Sequence, residues 1–278
     1  MYATSTQRRN WIYDSLDELD QLRINANTRV VKSNAGSTSD QHLSPKEELY
    51  LVRSYLVNLR EFCRKFQPPM RKSVIATAFI YMKRFYLHQS CMEYHPRDIG
   101  VTCAYLACKV DEFNVSISQF IKNVQGDCRK GQKTVLSNEL LLMEKLQFNL
   151  NVHLPYRAVE GFLIDLRVRC QPARDKTNLL VEEIDEFLEK LMFTDACFLY
   201  APSQIALAAV YHSAEKCNVD LNGYLTDIIF AEEPGALETF RQALESMRKL
   251  IEKDLQNSPG KEKKIKKIEK KLQAILTC

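Results

Sequence analysis

Two stretches of this chain carry no charge on any face of a helix, and they share one texture. The first is Val101 to Cys108 (VTCAYLAC); the second is Ile205 to His212 (IALAAVYH), roughly 100 residues further on. A helix that is apolar all round has no side to give to water, so other helices must surround it. In the first stretch the small residues Ala104, Ala107 and Cys108 let those neighbours come close. The recurrence reads as a structural duplication, and its long period fits two stacked bundles rather than a short-period solenoid. The expected fold is all-α: two tandem five-helix bundles with flanking N- and C-terminal helices. Glycine agrees with this, since only 8 occur in 278 residues and a sheet protein of that size needs more tight turns.

Caps and breakers delimit the segments. A first helix is expected from about Ser15 to Val30, opened by a Ser15/Glu18 capping box and striped by Leu16, Leu19, Leu22 and Ala26. A polar linker around Gly36 follows. Ser44-Pro45-Lys46-Glu47 then opens a helix with a capping residue, a first-turn proline and a reciprocal glutamate. Val52, Tyr55, Leu59, Phe62 and Phe66 form its stripe, and Pro68-Pro69 stop it. Helices over about Met70–Leu87 and Pro96–Val110 come next, then a short one opened by Ser116 and Gln119. Gly126 and Gly131 mark a loop, and Thr134–Leu146 forms the fifth helix. The second module is read as Pro155–Arg169, Thr177–Phe193, a helix opened by Pro202, Leu221–Phe230 and Gly235–Gln256. The division is therefore 1–43, 44–152, 153–256 and a basic terminal helix, 257–278. In that last helix Ile265, Ile268, Leu272 and Ile275 share a face and lysines fill the rest. It reads as a solvated helix packed on the body, with a partner helix or a nuclear-import signal as the functional alternatives.

Several function classes lack their signatures. There is no Gly-rich phosphate loop, and the histidines at 42, 88, 95, 153 and 212 have no ligand spacing, so neither a cofactor nor a metal is expected. Asp111 and Glu112 are adjacent, and adjacent helical residues point about 100° apart rather than facing each other as a catalytic dyad. The 9 cysteines contain no CxxC pair and several lie in apolar patterns, which suits free thiols in a reducing compartment. The polar start does not read as a signal peptide, and no apolar run of about 18 residues exists to cross a membrane. The formal charge of +4 is uneven: Lys261 to Lys271 holds 7 Lys and 2 Glu, which leaves the remainder at −1. A body so near neutrality offers no broad phosphate-binding face, so direct nucleic-acid binding by it is not expected.

Leu106-Ala107-Cys108-Lys109-Val110-Asp111-Glu112, preceded by Met82-Lys83-Arg84-Phe85 and followed by Glu139 in SNELLLMEKLQFNL, resembles the cyclin box. Longer strings, KRFYLHQSCMEYHPRDI, PYRAVEGFLIDLRVR and TDACFLYAPSQIALAA among them, extend the resemblance over nearly the whole chain. They point to the branch of the cyclin family that serves the CDK-activating kinase. The resemblance implies a non-catalytic, nuclear regulator of a Ser/Thr kinase. Its partners would be the CDK-activating kinase catalytic subunit, a RING-finger assembly subunit and the transcription factor IIH core. It further implies a kinase-binding set of Lys109, Val110, Glu112, Glu139, Met143, Phe148 and Leu150, in which Lys109 and Glu139 bond the backbone of the kinase's regulatory helix. Read locally, Lys109 is also explicable as a helix C-terminal cation paired with Glu139 inside the bundle. The substrate-docking patch of many cell-cycle cyclins is broken here to LVRSYL, so that docking mode is not expected. The alternatives are another transcription-type cyclin and a transcription factor IIB-like nucleic-acid-binding protein on the same fold.

Overall fold

The computed structural model describes residues 2–33, 42–124, 126–174, 176–256 and 262–277. The polar linker at 34–41 and the expected helix start at Lys261 fall outside these residues. Among the described residues there are helices and turns and no strand. The helices are α1 (Thr6–Asn10), α2 (Leu16–Ser33), α3 (Pro45–Lys65), α4 (Lys72–His88), α5 (Pro96–Val110), α6 (Ile117–Lys122) and α7 (Cys128–Lys145). There follow α8 (Tyr156–Arg169), α9 (Thr177–Phe193), α10 (Pro202–Lys216), α11 (Asn222–Tyr224), α12 (Pro234–Gln256) and α13 (Glu262–Thr277). They form two compact units: one contains α1–α7 and α13, the other α8–α12.

In the first unit the caps act largely as the sequence predicts. The Ser44 side chain accepts from the Glu47 N–H at 3.3 Å while Glu47 Oε2 accepts from the Ser44 N–H at 2.8 Å, closing the box that starts α3. Ser116 and Gln119 do the same for α6. At α2 the box is displaced by one residue: Ser15 caps the Glu18 N–H, but Glu18 reaches the backbone of Asp14 instead of Ser15. Proline at the first position of α3 and α5 leaves no N–H to waste there. The uncharged helix α5 is the axis, with α3, α4 and α7 packed around it. Every residue from Thr102 to Cys108 is buried. This is the all-round burial that its composition demands. The thiols of Cys63 and Cys108, buried in this core, are pushed up to about 12 by desolvation. They are therefore protonated and inert.

One sequence expectation is corrected here. Gly131 is not in a loop; α7 begins at Cys128, six residues before the predicted Thr134. Asp127 supplies the cap, its Oδ1 accepting from the Arg129 N–H at 2.9 Å. Gly131 lies over Ile121 of α6, where tertiary packing outweighs its poor helix propensity.

The flanking helices join this unit. α2 packs on α4 and α3 through Leu19, Ala26 and Val30, and its buried Asn27 donates to the Leu43 carbonyl at 2.8 Å. α13 packs on α3. Ile268 and Leu272 are its buried contacts, as the stripe predicts.

The second unit repeats the plan. α10 is its axis, contacted by α8, α9 and α12, and Ile205 to Val210 are buried without interruption. The expected helix over Leu221–Phe230 is instead a single turn, α11, that widens into a π-turn at Leu225–Ile229, with the Phe230 N–H bonded to the Leu225 carbonyl.

The two axial helices are copies in detail. Each has 15 residues, opens on proline and closes in a Schellman motif. At α5 the Phe113 N–H bonds Cys108 O and the Glu112 N–H bonds Lys109 O, with Glu112 left-handed at φ 52°. At α10 the Val219 N–H bonds Ala214 O and the Asn218 N–H bonds Glu215 O, with Asn218 at φ 53°. What differs is charge. Where α5 has Lys109, α10 has Glu215, which is ion-paired with Arg248 of α12.

Candidate helix-docking site

The Schellman turn that ends α5 exposes the helix's last charged residue. Lys109 Nζ lies 2.5 Å from Glu139 Oε1 on α7, with the lysine side chain 52% exposed and the glutamate 12%. The ammonium also sits 5.6 Å from the centre of the Tyr105 ring one turn below, a cation–π contact that fixes its direction. Burial pushes the Tyr105 phenol above its ordinary value, while Lys109 pulls it the other way. One acidic partner uses one of the three ammonium donors, and the exposed side is open to a second acceptor.

Glu139 is placed by the face it occupies on α7. Val135 and Leu142 are buried with it, whereas Leu136 and Leu140 are 47% and 64% exposed. Leu136, Leu140 and Met143 follow one another at three- and four-residue intervals, so they form a ridge beside the ion pair. Met143 is half-buried and Phe148, beyond the helix end, is 62% exposed. Val110 and Leu150 are half-buried.

The exit from α7 carries unusual backbone. Gln147 and Phe148 are both left-handed, at φ 54° and 55°, a conformation that costs a residue with a Cβ about 1 kcal/mol. The Phe148 N–H bonds Met143 O at 2.9 Å and the Gln147 N–H bonds Glu144 O at 2.8 Å, which satisfies the last carbonyls of α7. The next residues are clamped from α4. Arg84 Nη1 donates to the Asn149 carbonyl at 2.9 Å, and the Tyr81 hydroxyl donates to the Leu150 carbonyl. Arg84 is 1% exposed, and its guanidinium lies 4.8 Å from the Trp11 ring centre. The clamp turns Phe148 outward and holds it.

Of the seven residues expected to bind a kinase, the structure joins Lys109 and Glu139 directly. Met143 lies along the same face of α7 as Glu139, with Phe148 just past that helix's end. Glu112 stands apart: it is the left-handed residue of the α5 turn, and its carbonyl, like that of Asp111, accepts from Arg71 at 3.3 Å. Asp111 turns inward, its Oδ1 3.4 Å from the Thr77 hydroxyl. Leu136 and Leu140 escaped the sequence reading. Their signal was present, because Leu140-Leu141-Leu142 sweep about 200° of a helix and cannot all face a core.

A cleft of the second unit was not anticipated. Lys216 spans Glu183 at 2.5 Å and Glu186 at 3.4 Å, and Arg248 bonds Glu245 at 2.7 Å and His212 Nδ1 at 3.2 Å. Burial, aided by Arg248, holds the His212 imidazole below its ordinary value. The cleft of about 220 Å³ between these side chains has Phe187 and Ile251 in its lining and ion-paired side chains around them.

Comparison with known proteins gives the family. Residues 26–151 match the family described as Cyclin, N-terminal domain, and residues 154–252 match Cyclin C-terminal domain. Cyclin-H of Xenopus laevis is 41% identical, covering 98% of this chain and 86% of that protein. Cyclin-H1-1 of Arabidopsis thaliana is 32% identical over 82% of this chain and 75% of its own length. Among solved structures, a chain of the CAK complex from Chaetomium thermophilum bound to ATP-gamma-S superposes with a TM-score of 0.85 at 26% identity, covering 99% of this chain and 88% of its own. A chain of the yeast TFIIK (Kin28/Ccl1/Tfb3) complex, at 23% identity and a TM-score of 0.67, has the same fold and covers 90% of this chain and 100% of its own. With both halves matched and full-length relatives at this identity, the chain belongs to the cyclin family.

Proposed function

We propose that this chain is a cyclin-H-like, non-catalytic regulatory subunit that binds and activates the kinase of a CDK-activating complex. The observation that carries the proposal is the exposed Lys109 paired with Glu139 beside the apolar ridge of Leu136, Leu140 and Phe148. An amphipathic helix needs such a surface: apolar residues to cover its stripe and a donor–acceptor pair to meet the backbone groups at its end. Lys109 would bond carbonyl oxygens and Glu139 N–H groups of the kinase's regulatory helix. Val110, Met143, Phe148 and Leu150 would pack around it. Docking draws that helix inward, so that a kinase glutamate can pair with the phosphate-positioning lysine. The cyclin activates by binding that arrangement more tightly than the inactive one.

The solved complexes of this fold include a kinase and, in the yeast assembly, a third protein, Tfb3. By that likeness the partners are a catalytic subunit and an assembly subunit; the RING-finger character of the latter and the transcription factor IIH core rest on the sequence resemblance alone. The setting is the nucleus, and the substrates are activation loops of cell-cycle kinases and the C-terminal repeats of RNA polymerase II.

The test is the pair Lys109→Glu and Glu139→Lys, each titrated against the catalytic subunit and assayed for kinase activation. Lys109 is half exposed, so its end of the pair contributes at most about 1 kcal/mol to stability, whereas Glu139 is nearly buried and its reversal also destabilises the fold. Lys109→Glu should therefore melt close to the parent while losing about 2 kcal/mol or more of binding, roughly 30-fold. Normal binding by Lys109→Glu would refute the proposal.

A further inference from the structure

Helix α13 is fastened to the first unit on one side and presents lysines on the other. Its fastening is specific. Ile268 and Leu272 are buried on α3, and the Tyr55 hydroxyl donates to Glu269 Oε1 at 2.9 Å. Lys271 Nζ lies 3.4 Å from Glu47 Oε2, and Lys264 Nζ lies 4.3 Å from the Tyr50 ring centre. Those contacts use the apolar stripe and its two borders. On the opposite side stand Lys263, Lys266, Lys267 and Lys270, all exposed. At 100° per residue these four fall within an arc of about 100° and span about 10 Å of axis.

This arrangement works against the helix itself. Four like charges at three- and four-residue spacing repel by about 0.2–0.5 kcal/mol per pair. Elsewhere lysines are interleaved with glutamates, as in Lys190 with Glu186 and Lys216 with Glu183. On α13 Lys266 has Glu262 four residues before it, the same spacing as Glu186 and Lys190, whereas Lys263, Lys267 and Lys270 have no glutamate three or four residues away. Six lysines against two glutamates give α13 a net +4, equal to the formal charge of the whole chain, so everything else sums to zero. A local conflict kept in an otherwise consistent helix marks a surface with a use beyond folding.

We propose that the outer face of α13 is a sequence-independent binding surface for the phosphate backbone of nucleic acid. The lysines are compact point charges, suited to single phosphates and not to the bidentate grip by which arginine recognises carboxylates. Between Lys263 and Lys270 the arc holds no apolar residue to anchor an acidic peptide. Because the opposite face is packed on α3, the four charges form a fixed row, and binding need not order a loose tail. Each lysine that neutralises a phosphate releases condensed counterion, so four contacts set a steep salt dependence. The near-neutral body would contribute little, and the surface is one stripe on an otherwise indifferent molecule.

The experiment is fluorescence anisotropy of the full chain with a labelled random-sequence DNA duplex, between about 50 mM and about 200 mM salt, where four phosphate contacts predict an affinity loss of about 100-fold. Each single Lys→Gln substitution at 263, 266, 267 or 270 should lower the log–log salt slope by about 0.9. The quadruple variant should lose binding at low salt while its melting temperature stays at or above the parent's. A poly-glutamate peptide serves as the competing ligand. Absence of duplex binding at low salt, binding that survives in the quadruple variant, or tighter binding of poly-glutamate than of duplex would each overturn the proposal.

Discussion

Arg84, almost wholly buried in α4, donates to the carbonyl of Asn149, one residue past the exposed ring of Phe148. The outward aim of Phe148 thus depends on a guanidinium that never reaches the surface, itself laid against Trp11.

Replacing Arg84 with Met keeps bulk and removes the donors. The Asn149 carbonyl is then left buried without its charged partner, a loss of about 3 kcal/mol or more. Urea denaturation should show that loss. In a milder variant, Trp11→Phe, the fold should survive, while hydrogen exchange at 147–150 quickens and kinase affinity falls. Unchanged exchange in that segment would contradict the clamp.

The ridge on α7 makes a separate prediction. Leu140→Asp and Phe148→Ser place polarity on exposed positions, so thermal stability should change by less than about 1 kcal/mol. Kinase affinity should drop by 10-fold or more, since an apolar contact at the centre of an interface is worth about 1.4 kcal/mol or above. Scanning calorimetry reads the first effect and titration calorimetry the second, and normal affinity in Leu140→Asp would remove the ridge from the interface.

Glu112 tests how a residue's backbone role separates from its charge. At φ 52° it occupies the position that glycine favours, so Glu112→Gly should stabilise the fold by up to about 1 kcal/mol. If its side chain is only the occupant of a turn, kinase binding stays at the parent value; a marked loss would show that its carboxylate contacts the kinase, as the resemblance implies. Gly131→Ala should likewise stabilise, by about 0.5–1 kcal/mol, because the added methyl meets Ile121 Cδ1 at an ordinary 3.6 Å.

A pH dependence follows from Glu48. Burial raises its carboxyl to about 7, against hydrogen bonds from Ser90, Asn27 and the Cys91 N–H that favour the charged form. A folded-state value above the unfolded one means that stability is fully present below about 4.5 and is lost as pH rises through about 7. The span corresponds to roughly 3 kcal/mol. Glu48→Gln removes this titration, so the stability difference between variant and parent should move in the variant's favour by about that amount from pH 5 to pH 8. A pH-independent difference in denaturation midpoints would show that Glu48 titrates normally.

How much of this was legible beforehand depended on the kind of signal. Caps and periodicity located α3, α5, α9 and α12 to within a residue or so, because Ser44 and Pro96 act through local chemistry and the stripes of α9 and α12 are long. The start of α7 was misplaced because Gly131 is a helix breaker by propensity, whereas the helix is capped upstream by Asp127 and runs through it. Lys109 and Glu139, 30 residues apart, were paired by resemblance to a family; nothing in their spacing says that α5 and α7 meet. Arg84 entered only as part of a family string, Met82-Lys83-Arg84-Phe85, since no sequence pattern records that Asn149 and Trp11 lie on either side of it. Leu136 and Leu140 could have been found by counting how many leucines one buried face can hold.

The matched ends of α5 and α10 bear on stoichiometry. A duplicated frame ordinarily invites two copies of the same visitor. Here the backbone turn was kept while the lysine became Glu215, already engaged by Arg248. At that turn the second module presents an already engaged glutamate where the first presents a half-exposed lysine, and the expected assembly holds a single kinase per cyclin although the frame is repeated.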